Sequence, residues 1–449
     1  MTTRAYVETY GCQMNISDGE LMEGVLEGHG YEIVSAPDAA DVVLVNTCAI
    51  REHAETRVLG RVGQLNALKR ERPGMILGVT GCMAQRMGDD LLARAPYVDL
   101  VMGPDGYRGL AGALDEIRGR GTGAPDADAG SRKRLSVLDL SLDENYRGLE
   151  QRRRSTVTAW IPIQRGCNHR CTFCIVPYVR GSEKNRDPRE VLDEVMRVAR
   201  DGITEVTLLG QTVNSYRWGD GSRWSFARLL EAVARVPGIR RVRFTSPHPN
   251  DVSEELVEVM AREDTVCEQF HLPVQSGSNR VLRRMLRRYT AETFLEKVDL
   301  IRGALPGVAL STDVIVAFPG ESEGDFEQTL DLLGRVRFDE AFTYRYSARE
   351  GTPATRLPAH QSIDDEVGQQ RLTRLIETTR SIQKEINQGE VGRVEELLIE
   401  REARSEGMIL GRTRRGKAVV VPGTEAEIGS YLTARLTRTT GPTFVAERT

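Results

Sequence analysis

A chain of 449 residues is long enough for about two to four domains. Its 40% hydrophobic and 28% charged residues are those of a folded chain with a sizeable core, which excludes a disordered or membrane-embedded class. A formal net charge of −4 excludes a globally basic nucleic-acid binder, so only local arginine clusters such as QRRRS, NRVLRRMLRR and GRTRRGK speak for RNA. Seven cysteines are an odd number with no disulfide-framework spacing. No basic segment followed by an apolar run opens the chain, so the expectation is a cytoplasmic protein with thiols available for ligation or catalysis.

Residues 1–118 repeat one unit, a β-rich run followed by an amphipathic helical run. The predicted strands are RAYVETYGC, DVVLVNTC, MILGVTGC and VDLVMG. Strands alternating with helices imply parallel pairing by right-handed crossovers, hence a doubly wound α/β sheet. Cys12, Cys48 and Cys82 each close one of the first three runs. That is the edge where parallel sheets bind ligands, so three thiols 36 and 34 residues apart are expected to converge. Residues 119–153 lose the periodicity and are rich in Gly, Ala, Asp and Arg, which predicts a partly mobile linker.

Residues 154–384 return to the alternation, with six predicted strands: TAWIPIQ, TEVTLLG, RRVRFTS, EQFHLPV, ALSTDVIVAF and EAFTYRYS. They predict a partial (β/α)6 barrel whose chemistry sits at the C-terminal ends of the strands. The loop RGCNHRCTFC follows the first strand directly and so belongs to that face. Residues 385–449 carry five short β runs at tight spacing, which predicts a small antiparallel β-barrel of the type that grips RNA.

Cys167, Cys171 and Cys174 have the spacing Cys-x3-Cys-x2-Cys. A structural zinc needs a fourth ligand, and no second Cys/His pair follows Cys174. His169 is read as a loop residue, and ferredoxin-type loops supply four cysteines rather than three. Three close thiolates with no fourth argue for a cubic iron–sulfur cluster with one iron left open.

The stretch CNHRCTFC, with Phe173 just before its last cysteine, resembles the radical S-adenosylmethionine (SAM) superfamily. That resemblance implies that SAM occupies the open iron. With the three-cysteine domain before it and the β-barrel behind it, the whole chain resembles the methylthiotransferase family, whose tail is a TRAM domain. ETYGCQMN, VNTCAIREHAE, GCMAQR, CTFCIVPYVRG, LLGQTVNSY, FTSPHP, HLPVQSGSNRVL and DVIVAFPGE are most similar to one branch. That branch adds a methylthio group to C2 of N6-isopentenyladenosine beside the tRNA anticodon.

The resemblance implies two [4Fe-4S] clusters. Cys167, Cys171 and Cys174 would hold the one that cleaves SAM, and Cys12, Cys48 and Cys82 an auxiliary one that carries the sulfur. One SAM would methylate that sulfur, and a second would yield the radical that takes hydrogen from C2. It also implies as partners a tRNA anticodon stem-loop bearing the isopentenylated base, an external electron donor, and iron–sulfur or sulfur donor proteins, with no membrane. The alternatives are sister branches acting on threonylcarbamoyl-adenosine or on a ribosomal-protein aspartate, and, in another class, a non-catalytic iron–sulfur RNA-binding or electron-transfer protein.

Gln211, Asn214, Gln275, Ser276 and Asp313 end predicted strands and are candidates for cofactor or base contacts. Arg180, after the cysteine loop, is a candidate for binding an anion or for a structural ion pair. Cys267 is read as a core thiol. Arg412, Arg414, Arg415 and Lys417 lie on a predicted hairpin that could meet RNA phosphates, with Arg283, Arg284, Arg287 and Arg288 extending that surface.

Overall fold

The structure is a computed structural model that describes residues 2–48, 52–119, 133–219 and 224–449, without the side chains of 52–54. It forms two compact units, one of Met1–Arg154, Gln164–His169 and Ile175–Lys184, the other of Ser155–Ile163, Arg170–Cys174 and Asn185–Thr449.

The first unit is built on six parallel strands: β1 Arg4–Thr9, β2 Glu32–Ile33, β3 Val42–Thr47, β4 Ile76–Gly81, β5 Leu100–Met102 and β6 Leu135–Val137. Helices α1 Gln13–Gly28, α2 Glu52–Glu71, α3 Cys82–Met87, α4 Asp89–Arg94 and α5 Leu110–Ile117 connect them. Side chains alternate along each strand, so Val42 and Leu44 pack on α1 and α5 while Val43 and Val45 pack in a separate layer with α2 and α3. Burial on both faces explains why these strands read as unbroken apolar runs, and it bears out the doubly wound expectation. The strand order is 2-1-3-4-5-6. Its direction reverses between β1 and β3, which opens a crevice at the C-terminal edge there.

Part of the expected linker is not a linker. Residues 120–132 lie outside the described residues, but Leu135–Val137 pairs in register with β5 as β6. Tyr146 is buried and its hydroxyl donates to the Pro104 carbonyl at 2.5 Å. The QRRRS run is neutralised locally: Arg153 pairs with Glu20, and Arg154 with Glu23, both on α1. A three-residue strand is too short to leave a period in the sequence, and the acids that hold the arginines are more than a hundred residues away.

The second unit contains the expected barrel: β7 Thr158–Pro162, β8 Glu205–Leu209, β9 Arg241–Phe244, β10 Gln269–His271, β11 Ala309–Val316 and β12 Glu340–Arg345. They form two parallel three-stranded sheets, 9-8-7 and 10-11-12, joined by a parallel bridge between Val242 and Val266. Val206, Leu208, Val242, Phe270, Leu310 and Val314 form the core under the helices. The alternate positions, Glu205, Thr207, Arg241, Arg243, Ser311 and Asp313, turn to the opposite face.

The tail is a closed five-stranded barrel of β13 Val394–Glu402, β14 Met408–Thr413, β15 Ala418–Pro422, β16 Tyr431–Thr439 and β17 Thr443–Arg448. Leu397, Ile399, Ile409, Val419, Leu436 and Phe444 fill it. Four of its pairs are antiparallel, as expected, and the pair β15–β17 that completes it is parallel. The tail is fastened to the N-terminal ends of the barrel strands. Fully buried Arg241 donates to the carbonyls of Arg412 and Glu396 at 2.9 and 2.8 Å. Arg243 donates to those of Arg414 and Thr413 at 2.7 and 2.8 Å. Among the described residues no helix is long and apolar enough to cross a membrane.

Candidate active site

In the first unit the three distant cysteines meet at the crevice. Cys12 caps α1, Cys48 directly follows β3, and Cys82 opens α3 directly after β4. Two glycines allow the approach. Gly11 has φ +134°, and a Cβ on it would stand 2.5 Å from the Cβ of Cys48. Gly81 has φ +92°, and a Cβ there would stand 2.4 Å from Asn46 Oδ1 and 2.5 Å from the Thr47 carbonyl. Asn15 and Asn46 tie the edges together, each donating its side-chain amide to the other's neighbourhood: Asn15 to the Thr47 carbonyl at 3.1 Å, Asn46 to the Asn15 carbonyl at 2.8 Å.

The thiols differ in acidity. A hydrogen bond with Cys48 lowers Cys12 from 9.0 to about 6 against the effect of its burial, and the Arg180 charge assists. Burial raises Cys82, and Arg180 only partly offsets this. Arg180 Nε donates to Cys82 Sγ at 3.1 Å and its Nη2 to Asp18 Oδ2 at 2.6 Å. The sequence left Arg180 open between anion binding and an ion pair; the ion pair is present, and Nη1 remains buried without a partner. Behind them Arg165 stacks on the Tyr146 ring, 3.5 Å from its centroid, and stands 4.0 Å from Asp18. Three thiols, a cation already bonded to one sulfur and an unpartnered N–H fit an anionic, sulfide-rich group.

The second triad lies on one loop, from Cys167 to Cys174. Cys167 N–H donates to the Gly181 carbonyl at 3.2 Å. Cys174 N–H donates to the Cys171 carbonyl at 3.0 Å, and Thr172 is fixed by backbone bonds to Met285 and Ala354. Phe173 packs with Val281, Met285, Phe318 and Ala354, which anchors the loop between its last two cysteines. Arg287 Nη1 donates to Cys171 Sγ at 3.4 Å. No disulfide engages any of the seven cysteines. Cys267 is buried, and burial pushes its thiol up, as suits a core residue.

The expected polar contacts separate into two groups. Gln275 adopts φ +69°, held by backbone bonds to Asp313 and Ile315, and its Oε1 is buried without a partner. A non-glycine residue kept in that region stores roughly 1–3 kcal/mol. Gln211 Oε1 is likewise buried and unpartnered. Asp313 faces His271 Nε2 at 3.4 Å, while His271 Nδ1 lies 2.9 Å from Ser311 Oγ. Asn214, in contrast, spends its amide on the backbone of His248, donating at 2.9 Å and accepting at 2.7 Å. Ser276 is fully buried against Thr329 and the Ser278 N–H. Both shape the loops rather than offer a free group.

The basic hairpin is also occupied. Arg412 pairs with Glu400, Arg414 with Glu268, Arg415 with Glu390 and Glu395, and buried Lys417 with Asp339. These four cations lock the tail to itself and to the barrel, so they do not present open heads to phosphates. Arg287 is buried beside Cys171 and Arg284 binds the Pro319 carbonyl and Gln361, leaving Arg283 and Arg288 exposed.

A partial parallel barrel with a three-cysteine loop after its first strand defines a radical SAM enzyme, and residues 161–333 match the Radical SAM superfamily. Residues 4–103 match the uncharacterized protein family UPF0004, and residues 388–444 the TRAM domain. A solved radical SAM methyltransferase, TsrM from Kitasatospora setae, shares the fold with a TM-score of 0.58 at 15% identity, over 80% of this chain and 78% of that one. The cobalamin-dependent radical enzyme OxsB shares it at 0.52 and 12% identity, over 85% of this chain and 58% of that one.

Curated relatives that match nearly the whole chain carry the name tRNA-2-methylthio-N(6)-dimethylallyladenosine synthase. The protein of Chloroherpeton thalassium is 42% identical over 98% of this chain and 95% of its own, and that of Carboxydothermus hydrogenoformans 40% identical over 96% of each. The chain belongs to this family. Membership of the radical SAM superfamily brings with it a [4Fe-4S] cluster and SAM.

Proposed function

We propose that this protein adds a methylthio group to C2 of N6-isopentenyladenosine beside the anticodon of tRNA, using two [4Fe-4S] clusters. The observation that carries this reading is the meeting of Cys12, Cys48 and Cys82 at the crevice of the first unit, because sulfur insertion requires a sulfur-delivering site apart from the one that cleaves SAM. Cys167, Cys171 and Cys174 hold the cluster that binds SAM, and the first triad holds the one that carries sulfur.

With SAM, the former supplies one-electron cleavage to a radical able to take hydrogen from an unactivated carbon. The chain's own residues bind and orient. Gln275 and Gln211 offer buried acceptors to donors on the cofactor or the base. Asp313, its carboxylate turned toward His271, would accept from a ribose or base edge. Arg180 presents an N–H to the sulfur-bearing group through its free Nη1. The partners are isopentenylated tRNA in the cytoplasm, a low-potential electron donor, and a protein that replenishes sulfur.

Anaerobic reconstitution with iron and sulfide, then incubation with SAM, reductant and isopentenylated tRNA, tests this. Mass spectrometry is expected to find the methylthio nucleoside. Release of 5′-deoxyadenosine without that nucleoside overturns the substrate, and absence of both from protein carrying its clusters overturns the enzyme reading.

A further inference from the structure

The segment Ile175–Gly181 touches a cysteine of each triad. Ile175 and Val179 are buried and pack on Cys82. Arg180 is buried as well, donating Nε to Cys82 Sγ at 3.1 Å and Nη2 to Asp18 at 2.6 Å. One residue further, the Gly181 carbonyl accepts from the Cys167 N–H at 3.2 Å. The two stretches lie so close there that a Cβ on Gly166 would stand 2.1 Å from the Ser182 carbonyl. All these residues belong to the first unit.

Within this segment Tyr178 alone is exposed, at 46%. Its backbone is held on both sides. The Tyr178 N–H donates to the Ile175 carbonyl at 3.0 Å, the Arg180 N–H donates to the Val176 carbonyl at 2.8 Å, and the ring of Pro177 fixes φ just before it. A tyrosine on so fixed a backbone has two side-chain torsions to lose on binding, few for the area it offers. One exposed aromatic is ordinary on any surface. What sets Tyr178 apart is that the residues flanking it are committed to Cys82 on one hand and, through Gly181, to Cys167 on the other.

The function proposed above requires a base held where a radical formed at one cluster can take hydrogen from C2 and the sulfur of the other can replace it. A base taken out of its stack in an RNA loop is commonly received by an aromatic ring. Phosphate contacts position an RNA but do not select a base.

We propose that the ring of Tyr178 stacks on the unstacked, isopentenylated adenine of the tRNA loop and holds its C2 edge beside the two triads. The ring face makes the contact, and the phenolic hydroxyl is not needed for it. The proposal rests on the function proposed above and names the residue that seats its substrate.

The test uses the full-length reconstituted protein and two anticodon stem-loops, one with the isopentenylated adenosine and one with an abasic nucleotide in its place. Binding is measured without reductant, and the methylthio nucleoside formed on the first RNA is followed by mass spectrometry. The parent is expected to bind the isopentenylated RNA roughly tenfold or more tightly than the abasic one, as one base stacked on an aromatic ring gives. Tyr178→Ala should lose most of that difference while binding the abasic RNA as the parent does, and its kcat/KM should fall by a similar factor. Tyr178→Phe should recover both. Tyr178→Leu, apolar but without a ring face, should not. Iron and sulfide content checks that each variant carries its clusters; if Tyr178→Ala does not, the comparison of Tyr178→Leu with Tyr178→Phe decides.

A parent that forms no methylthio nucleoside overturns the proposed function and this proposal with it. A parent that forms it, beside a Tyr178→Ala protein that keeps the base-dependent affinity or a Tyr178→Leu protein that matches Tyr178→Phe, overturns the stacking contact alone.

Discussion

The two cysteine triads bring three thiols together by opposite means. One lies within eight consecutive residues, so a loop anchored by Phe173 sets its sulfurs. The other gathers thiols from the ends of three strands, so the register of a sheet and two glycines set its sulfurs. A loop-built site meets the side chains packed around it, as Arg287 meets Cys171 Sγ; a sheet-built site depends on backbone approach and is expected to fail when the backbone is pushed apart. The difference teaches where each site is vulnerable.

The strongest way to break the comparison is to remove one sulfur from each site. Cys82→Ala is expected to abolish the methylthio nucleoside while 5′-deoxyadenosine still forms, and Cys171→Ala to abolish both, read by mass spectrometry of the same reaction. Lys417→Met probes a region outside both triads. It breaks a buried pair with Asp339 at 2.7 Å, which costs ~3–5 kcal/mol. Thermal unfolding should fall accordingly, and the salt dependence of tRNA binding should not change, because this cation meets no phosphate.

Gly81→Ala sharpens the contrast further. A Cβ at φ +92° collides with Asn46 and Thr47, so a loss of about 1–3 kcal/mol is expected, with iron lost from the sheet-built triad and SAM cleavage retained. The smallest effect concerns pH in metal-free protein. Cys12 sits at about 6 in the fold against an ordinary 9.0, so its thiolate stabilises the fold in full above pH 9.0, and that contribution is lost as pH falls through about 6. Alkylation with iodoacetamide at pH 7 should therefore mark Cys12 well before Cys82.

The α/β alternation was legible because strands buried on both faces leave continuous apolar runs, such as VVLV in β3. Strands β2 and β6, two and three residues long, left no such trace. The sheet-built triad could be read from strand ends alone, and its glycines were visible beside the cysteines in YGC and TGC. Arg287 was not legible. It stands in a run of arginines that reads as a surface, but Leu286 at φ +56° and Arg288 at φ +55° turn the chain so that Arg287 alone points inward. The hairpin misled for a related reason: a charge run reveals cations but not their acids, and Arg414 finds Glu268 146 residues away.

The tail's hold on the barrel floor has a consequence for how such proteins can be cut and recombined. The tail resembles a detachable module, yet its backbone carbonyls are the partners of Arg241 and Arg243. Removing it strands two buried guanidinium groups whose bonds are each worth ~1.5–3 kcal/mol. A graft from a relative must bring a turn of the same shape, with Gly416 again close against Gln269. Evolution could refashion the outer face of this tail freely, but it could exchange the tail only together with the floor on which it stands.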